Sequence, residues 1–392
     1  VRAPADLAPP SDPALDQALA DVVARGAVEL PPYPAVALQI DRLVRGGDYG
    51  IDALARLVSS DQALAADLLR LANTAAYARG APVAALRPAL TRVGADALAR
   101  VALASSVGAL AQARGPLAPL RRRVWQDALS AAFLARELAR ARGLPAEDAF
   151  TCGLLHDVGK VVALAGLERL AGGAQGRPRP AHVWERVAER HHVVLGTALA
   201  ARWELPAVVA DAIAYHHDHS DLAAAPEIVR VLAVIDPVVR LLGDRDHLDV
   251  SEASALASLT DPECDALART IDLLPGIVAA FEREALPEPS PMLERPPAPA
   301  VCEAAPGVRF RIGGAEHAAR GFAAHQLVLS GPVPLPEGTL VECAPAAAPG
   351  ATFHARVLAS WPETAGYGSV LAPFALSGPA LTHWQALAKP RA

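Results

Sequence analysis

The chain is short of cysteines, aromatics and long apolar runs, and each shortage removes a class of protein. Its four cysteines in 392 residues, Cys152, Cys264, Cys302 and Cys343, lie far apart with no CxxC pair. Such spacing makes neither a disulfide framework nor a zinc site, and it suits a reducing compartment. Cys152 sits in an apolar run and reads as a small buried hydrophobe rather than a nucleophile. Aromatics are only 4% of residues, whereas the hydrophobic fraction is 52%, much of it alanine. That mixture favours helices packed through small side chains. Positive charge is not in excess either. A net charge of -6 argues against a general binder of nucleic acid or of anionic membranes. The most apolar stretch, 97–113, is 17 residues long and carries Arg100, so it reads as a buried helix rather than a membrane span. Residues 1–13 have no apolar core of the signal-peptide kind, and a cytoplasmic location is the expectation.

What is present divides the chain into four parts. Residues 1–25 read as a flexible leader and a short helix, and 26–285 as consecutive helices. A Pro-rich linker follows over 286–302, then an alternating, strand-like segment over 303–392. The expected fold class is therefore mainly α, a helical bundle followed by a small antiparallel β-barrel. Within the bundle, 52–58 is a short helix, and Ser59-Ser60-Asp61 offers N-cap side chains to the run Leu64, Leu68, Leu69, Leu71. Further helices are expected over 122–141, 148–164, 193–203 and 208–217, the last two parted at Leu205-Pro206. Strands are expected over 308–312, 326–330, 339–343, 353–360 and 367–371, with a closing helix over 379–387. Arg121-Arg122-Arg123 opens a helix in an acidic chain and reads as a solvated face.

One constellation carries chemistry. In His156-Asp157-Val158-Gly159-Lys160 an imidazole and a carboxylate stand side by side and can ligate one divalent metal. Such an ion would hold a hydroxide for attack on phosphorus, and Lys160 would meet a phosphate oxygen. Further candidate ligands are His191, His192, His216, His217 and Asp236. Seven of the 12 histidines are His156 or fall within 182–219. Against this stand plainer roles: a capping Asp157, a hydrogen-bonded His156, and solvated places for Lys160 and for one member of each later histidine pair. Asn73 and Tyr77, four apart, share a helical face and suit either a hydrogen-bonding role in the bundle or a partner groove.

These motifs resemble the HDOD domain, the HD-related output domain of bacterial signalling proteins. The resemblance rests on Leu30-Pro31-Pro32-Tyr33-Pro34, on Val58-Ser59-Ser60-Asp61, and on the run from Leu69 to Tyr77 with Asn73 inside it. Arg92-Val93-Gly94, His192 to Gly196, Trp203-Glu204-Leu205-Pro206 and His216-His217 continue it in order, so that it covers 28 to about 240. It implies a helical bundle related to HD phosphohydrolases but without catalysis, serving protein partners in motility, biofilm or stress signalling. An active HD site resembles four positions in order. Here His156, Asp157 and Asp236 fill three, and Asp127 stands where the first histidine belongs. His192 and His216 are candidate ligands of a second ion. The cofactor implied is a divalent metal, Mg, Mn or Fe, and the added carboxylate favours Mg or Mn. If the site is active, Asp157 and Lys160 would carry catalysis. The alternatives are thus a metal-dependent phosphohydrolase, or a nucleotide sensor that binds without cleaving.

Residues 303–392 resemble a degenerate PilZ domain, through the stretch 327–339 and the hairpin from Ala355-Arg356-Val357-Leu358 to Gly366-Tyr367-Gly368. The Asp/Asn-x-Ser-x-x-Gly turn of that family is replaced by Gly321 to Gln326, and no Arg-x-x-x-Arg pair precedes it. No cyclic di-GMP binding is therefore expected of this domain.

Overall fold

The computed structural model describes residues 12–47, 49–172, 177–217, 225–242, 256, 258–282, 292–294, 302–303, 308–323, 326–376 and 378–388. The helical part opens with α1 (Pro13–Ala24), α2 (Ala35–Gly46), α3 (Ile51–Ser59) and α4 (Gln62–Ala72). Then come α5 (Leu86–Val93), α6 (Ala95–Ala111), α7 (Ala118–Ala141) and α8 (Ala146–Leu155). It continues through α9 (Val158–Leu170), α10 (Ala181–Arg202), α11 (Ala207–Tyr215), α12 (Glu227–Leu242) and α13 (Asp261–Phe281). Side chains fix several starts. Asp61 accepts from the amides of Ala63 and Leu64, and Thr260 with Glu263 forms a capping box at α13. Asn73 pins the loop after α4, bonding the Val83 backbone at 2.8 and 2.9 Å.

The alanines do what the composition requires. Ala128, Ala131, Ala132 and Ala135 are buried along α7, the central helix, and let neighbouring backbones come close. At Gly153 on α8, a Cβ would lie 2.8 Å from the Ala131 carbonyl oxygen and the Ala132 Cα. Trp125 and Phe281 meet edge to face at 6.3 Å and are the largest groups in this part of the core.

Strands β1 (Cys302–Glu303), β2 (Arg309–Ile312), β3 (Ala315–Ala323) and β4 (Gln326–Gly331) lead into the barrel. β5 (Leu340–Pro345), β6 (Phe353–Glu363) and β7 (Gly366–Phe374) complete it, all pairings being antiparallel. The order β3-β2-β5-β6-β7-β4 closes on itself because β3 also pairs with β4, so six strands make the barrel and β1 lies outside on β3. Helix α14 (Gly378–Ala388) plugs one end with Trp384, whose ring lies 5.8 Å from Phe322 and 5.6 Å from Phe353.

Four local expectations need correction. The helix expected over 148–164 breaks at His156-Asp157 into α8 and α9. The one expected over 193–203 is the second half of α10. β3 escapes the strand reading because AEHAARGFA has no β-branched residue. The three arginines are no solvated face: Arg121 is 2% exposed and lies 2.5 Å from Glu168, and Arg122 is 1% exposed. Within the Pro-rich stretch, Met292 is buried, and its carbonyl accepts from Arg179 at 3.0 Å and from the Trp184 indole at 3.2 Å. One stretch among the described residues, Ala146–Leu170, has the length and hydropathy of a membrane span. Of its most apolar 18-residue window, 83% is buried inside the structure.

Barrel and bundle meet through a buried polar seam. Arg356 on β6 donates to Gln126 and to Asp127, both at 2.7 Å, while Gln126 donates to the Gly338 carbonyl at 3.0 Å and to Glu282. Arg122 lies 3.8 Å from Glu282, and burial pushes the Glu282 carboxyl above its usual range despite that neighbour. Gly338 has φ +75° and its Cα faces the Pro119 backbone, where a Cβ would come within 2.7 Å. Replacing Arg356 by alanine strands the Gln126 oxygen and the Asp127 charge. A loss of about 1.5–3 kcal/mol is expected, the cost of charge-assisted hydrogen bonds. Urea unfolding of the full chain measures it, and an unchanged midpoint would refute the seam's role.

Candidate metal centre

The close approach of α9 to α10 builds the centre. A Cβ on Gly159 would overlap the His192 carbonyl oxygen and come within 2.7 Å of the Gly196 amide. Only glycine admits that distance, which explains its place in the motif. Asp157, in the break before α9, is thereby set against His192 on α10. Just after α11, His216 and His217 enter from the other side.

Each of the three buried histidines has its ring turned by its own backbone. His156 Nδ1 donates to the Gly153 carbonyl at 2.8 Å, and His192 Nδ1 to the Glu189 carbonyl at 2.5 Å. His216 Nδ1 faces the carbonyls of Ile213 and Ala212 at 3.0 and 3.2 Å. A ring nitrogen facing a carbonyl must carry the proton, so the Nε2 atoms of His192 and His216, whose pKa values burial lowers, present lone pairs. His192 Nε2 lies 3.2 Å from both His216 Nε2 and His217 Nε2. The Asp157 Oδ1 atom is buried without a hydrogen bond, 3.4 Å from the Nε2 atoms of His192 and His216. Three imidazole nitrogens and an orphaned carboxylate oxygen converging this closely fit a divalent cation better than they fit one another.

Two groups of converging ligands result, and they share one residue. Asp157, His192, His216 and His217 form the first, and His156, Asp157 and Asp236 the second. His156 Nε2 stands 3.4 Å from Asp157 and 3.9 Å from Asp236. Burial opposes charge on His156, but Asp157 and Asp236 outweigh it and raise its pKa to about 10. Burial lowers His192 to about 4, and lowers His216 as well, so both are neutral at pH 7 and ready to ligate. Asp236 is held down at about 2: burial works against its charge, and the His156 hydrogen bond wins. Lys160 is part of the centre, its ammonium 2.7 Å from Asp157 and 2.9 Å from Glu189. Burial opposes its charge too, yet those carboxylates raise its pKa.

The remaining candidates lie elsewhere. His191 points away and meets Asp16 of α1 at 3.0 Å. Asp127 lines the same cavity as His156, Asp157, Lys160 and Asp236 but belongs to neither ligand group, and Arg356 of the barrel pairs with it at 2.7 Å. The sequence reading passed over Glu189, whose carboxylate meets both Lys160 and His217, the latter at 3.3 Å. Its position three residues before His192 places it on the same face of α10, which is the signal that would have found it. The cavity itself is about 70 Å³.

Residues 30–219 match the HDOD domain family. A protein of Treponema pallidum named "Uncharacterized protein" is 30% identical over 225 residues, 55% of this chain and 43% of that one. Ribonuclease Y of Thermus thermophilus is 30% identical over 165 residues, 41% of this chain and 23% of the enzyme. The chain thus spans less than half the length of these relatives. A solved structure from Shewanella amazonensis, titled "Putative metal-dependent phosphohydrolase", superposes with a TM-score of 0.54 at 18% identity. That match covers 69% of this chain and 98% of the other, and it establishes the shared fold. Residues 30–219 of the helical part thus match the HDOD domain, and the part as a whole has an HD-related fold.

The α9–α10 approach yields a direct test. Gly159→Ala must push the two helices apart or distort them, at a cost of about 1–3 kcal/mol or more from overpacking. Thermal unfolding should show a lower midpoint. A variant as stable as the parent would mean that the contact is not tight.

Proposed function

We propose that this chain is a bacterial signalling protein that acts as a scaffold for protein partners in the cytoplasm, its HDOD domain keeping a divalent metal without turning over substrate. The observation that carries this reading is the size of the cavity beside the ligands. About 70 Å³ admits a few waters or a small anion, whereas sites for small organic ligands run to roughly 300–1,000 Å³. Asp127, in the place of the first HD ligand, is engaged by Arg356 and is withheld from an ion at His156. What is left is a metal position beside a cavity smaller than the usual small-ligand site.

Asp157, His192, His216 and His217 would hold the ion, and such an ion supplies Lewis acidity and a lowered water pKa. Three nitrogens and one oxygen suit Mn, Fe or another borderline ion better than Mg, which prefers oxygen. The preference for Mg or Mn drawn from Asp127 therefore narrows towards the transition metals. Lys160 and Glu189 would hold Asp157 and His217 in orientation. The barrel, on its resemblance to PilZ, is a second docking surface. It lacks the arginine pair for cyclic di-GMP, Arg309 and Arg311 being two apart rather than four.

The second reading, a metal-dependent phosphohydrolase, has one observation in its favour. Asp157 belongs to both ligand groups, and a carboxylate shared in this way is the mark of two-metal hydrolytic sites. Metal analysis of the purified full chain, followed by a Mn-supplemented assay with bis(p-nitrophenyl) phosphate, separates the two. The scaffold reading expects bound metal, no turnover, and a folded Asp157→Ala variant from which the metal is gone. Turnover that Asp157→Ala abolishes would establish the hydrolase instead.

A further inference from the structure

A second and much larger cavity, about 590 Å³, lies among α5, α6, α7 and α13, away from the metal ligands. Arg79, Arg92, Arg100, Arg136, Arg140 and Arg269 line it. Only three carboxylates join them, Asp96, Glu137 and Glu147. Six arginines against three carboxylates leave three positive charges in excess, in a chain whose net charge is -6. Concentrating positive charge in a cleft of an otherwise acidic protein focuses the field on an anion.

Four of the arginines are held in place. Glu137 accepts from Arg136 and Arg140, each at 3.0 Å, and Glu147 pairs with Arg100 and lies 3.8 Å from Arg140. The Arg136 guanidinium sits 4.9 Å from the Phe133 ring centre. Arg92 is fixed by three carbonyls, those of Ala72, Arg79 and Ala81 at 2.8–3.1 Å, and pairs with no carboxylate among the described residues. Arg79 and Arg269 have no carboxylate partner among the described residues. Burial and the adjacent Arg136 push the Arg100 pKa down to about 10, a crowding that an anion would relieve.

Backbone adds to this. The 17-residue helix α6 starts from Gly94 with φ +90° and no side-chain cap, and Ala95, Asp96 and Ala97 of its first turn line the cavity. Its opening amides are thus available to a phosphate. Apolar wall is present as well, in Val93, Leu273 and Ile277, with Tyr77 beside them.

We propose that this cavity is a binding site for a nucleoside phosphate. The phosphate lies against the α6 N-terminus and the arginines, and the nucleoside against Tyr77, Leu273 and Ile277. The volume falls within the roughly 300–1,000 Å³ of small-ligand sites. Guanidinium groups bind phosphate through paired N–H donors. Bound here, the nucleotide touches α7 and α13, the two helices that also carry Gln126 and lead to Glu282 at the barrel seam.

Isothermal titration of the full chain with AMP, GMP, ATP and inorganic phosphate tests the proposal. At least one nucleotide should bind with Kd below about 1 mM and more tightly than inorganic phosphate. Arg79→Glu combined with Arg269→Glu, both exposed positions, should weaken it at least about tenfold, or 1.4 kcal/mol, without lowering the melting temperature. Asp157→Ala should leave it intact. No nucleotide binding, binding indifferent to the arginine changes, or binding no tighter than that of phosphate alone overturns the proposal. Loss of binding in Asp157→Ala would place the ligand at the metal centre and overturn it too. Tighter binding of an acidic peptide than of any nucleotide would assign the cavity to a protein partner instead.

Discussion

The closeness of α9 and α10 at Gly159 is the constraint on which the metal centre depends. Asp157 is two residues before that glycine, and His192 supplies the carbonyl that a Cβ there would strike. The backbone contact therefore sets the 3.4 Å between Asp157 Oδ1 and His192 Nε2 with little freedom left for side-chain adjustment. His216 and His217 then need only arrive at the end of α11. Their rings add two nitrogens to a position already defined by packing. A centre specified in this way keeps its geometry before any ion arrives, so little ordering entropy opposes binding.

Such preorganisation has a consequence for charge. Buried carboxylates are costly unless partnered. Asp157 and Asp236 are tolerated because Lys160 and His156 stand against them, and His156 is driven towards its charged form by both. The same economy governs the barrel seam, where Arg356 compensates Asp127 and Arg122 faces Glu282. The two networks adjoin at Asp127 of α7, which lines the cavity beside His156 and Asp236 and is bonded by Arg356. The barrel thus reaches the edge of that cavity through a bond spanning 229 residues of sequence.

What could be read from the sequence follows the range of the interaction. The helical class, the break at Leu205-Pro206, the Asp61 cap and the closing helix are local and were readable from caps, prolines and periodicity. His156 with Asp157, and His216 with His217, are adjacent pairs whose chemistry is visible without a fold. The HDOD resemblance placed Asp236 among them. Other features depend on partners far along the chain. Arg356 looks like any strand arginine until it meets Asp127, 229 residues away. The arginines at 121–123 read as a surface because nothing nearby announces Glu168, Glu282 or Glu185. β3 is a strand through its pairing with β2 and β4 rather than through its own composition. The arginine-lined cavity gathers residues from 79 to 269, and no local window contains enough of it to raise an alarm.

The two cavities also make physical sense together. The metal centre is rich in negative charge and small, so it selects a cation and excludes bulk. The larger cavity has the opposite sign, and α7 runs past both, with Asp127 at one and Arg136 and Arg140 at the other. An HD enzyme needs cation and phosphate at a single place, because a metal acts only on a phosphate it touches. Here Arg123, Lys160 and Arg240 line the small cavity among its carboxylates, whereas six arginines line the larger one. The two cavities thus differ in the sign of their net charge, the smaller favouring a cation and the larger an anion.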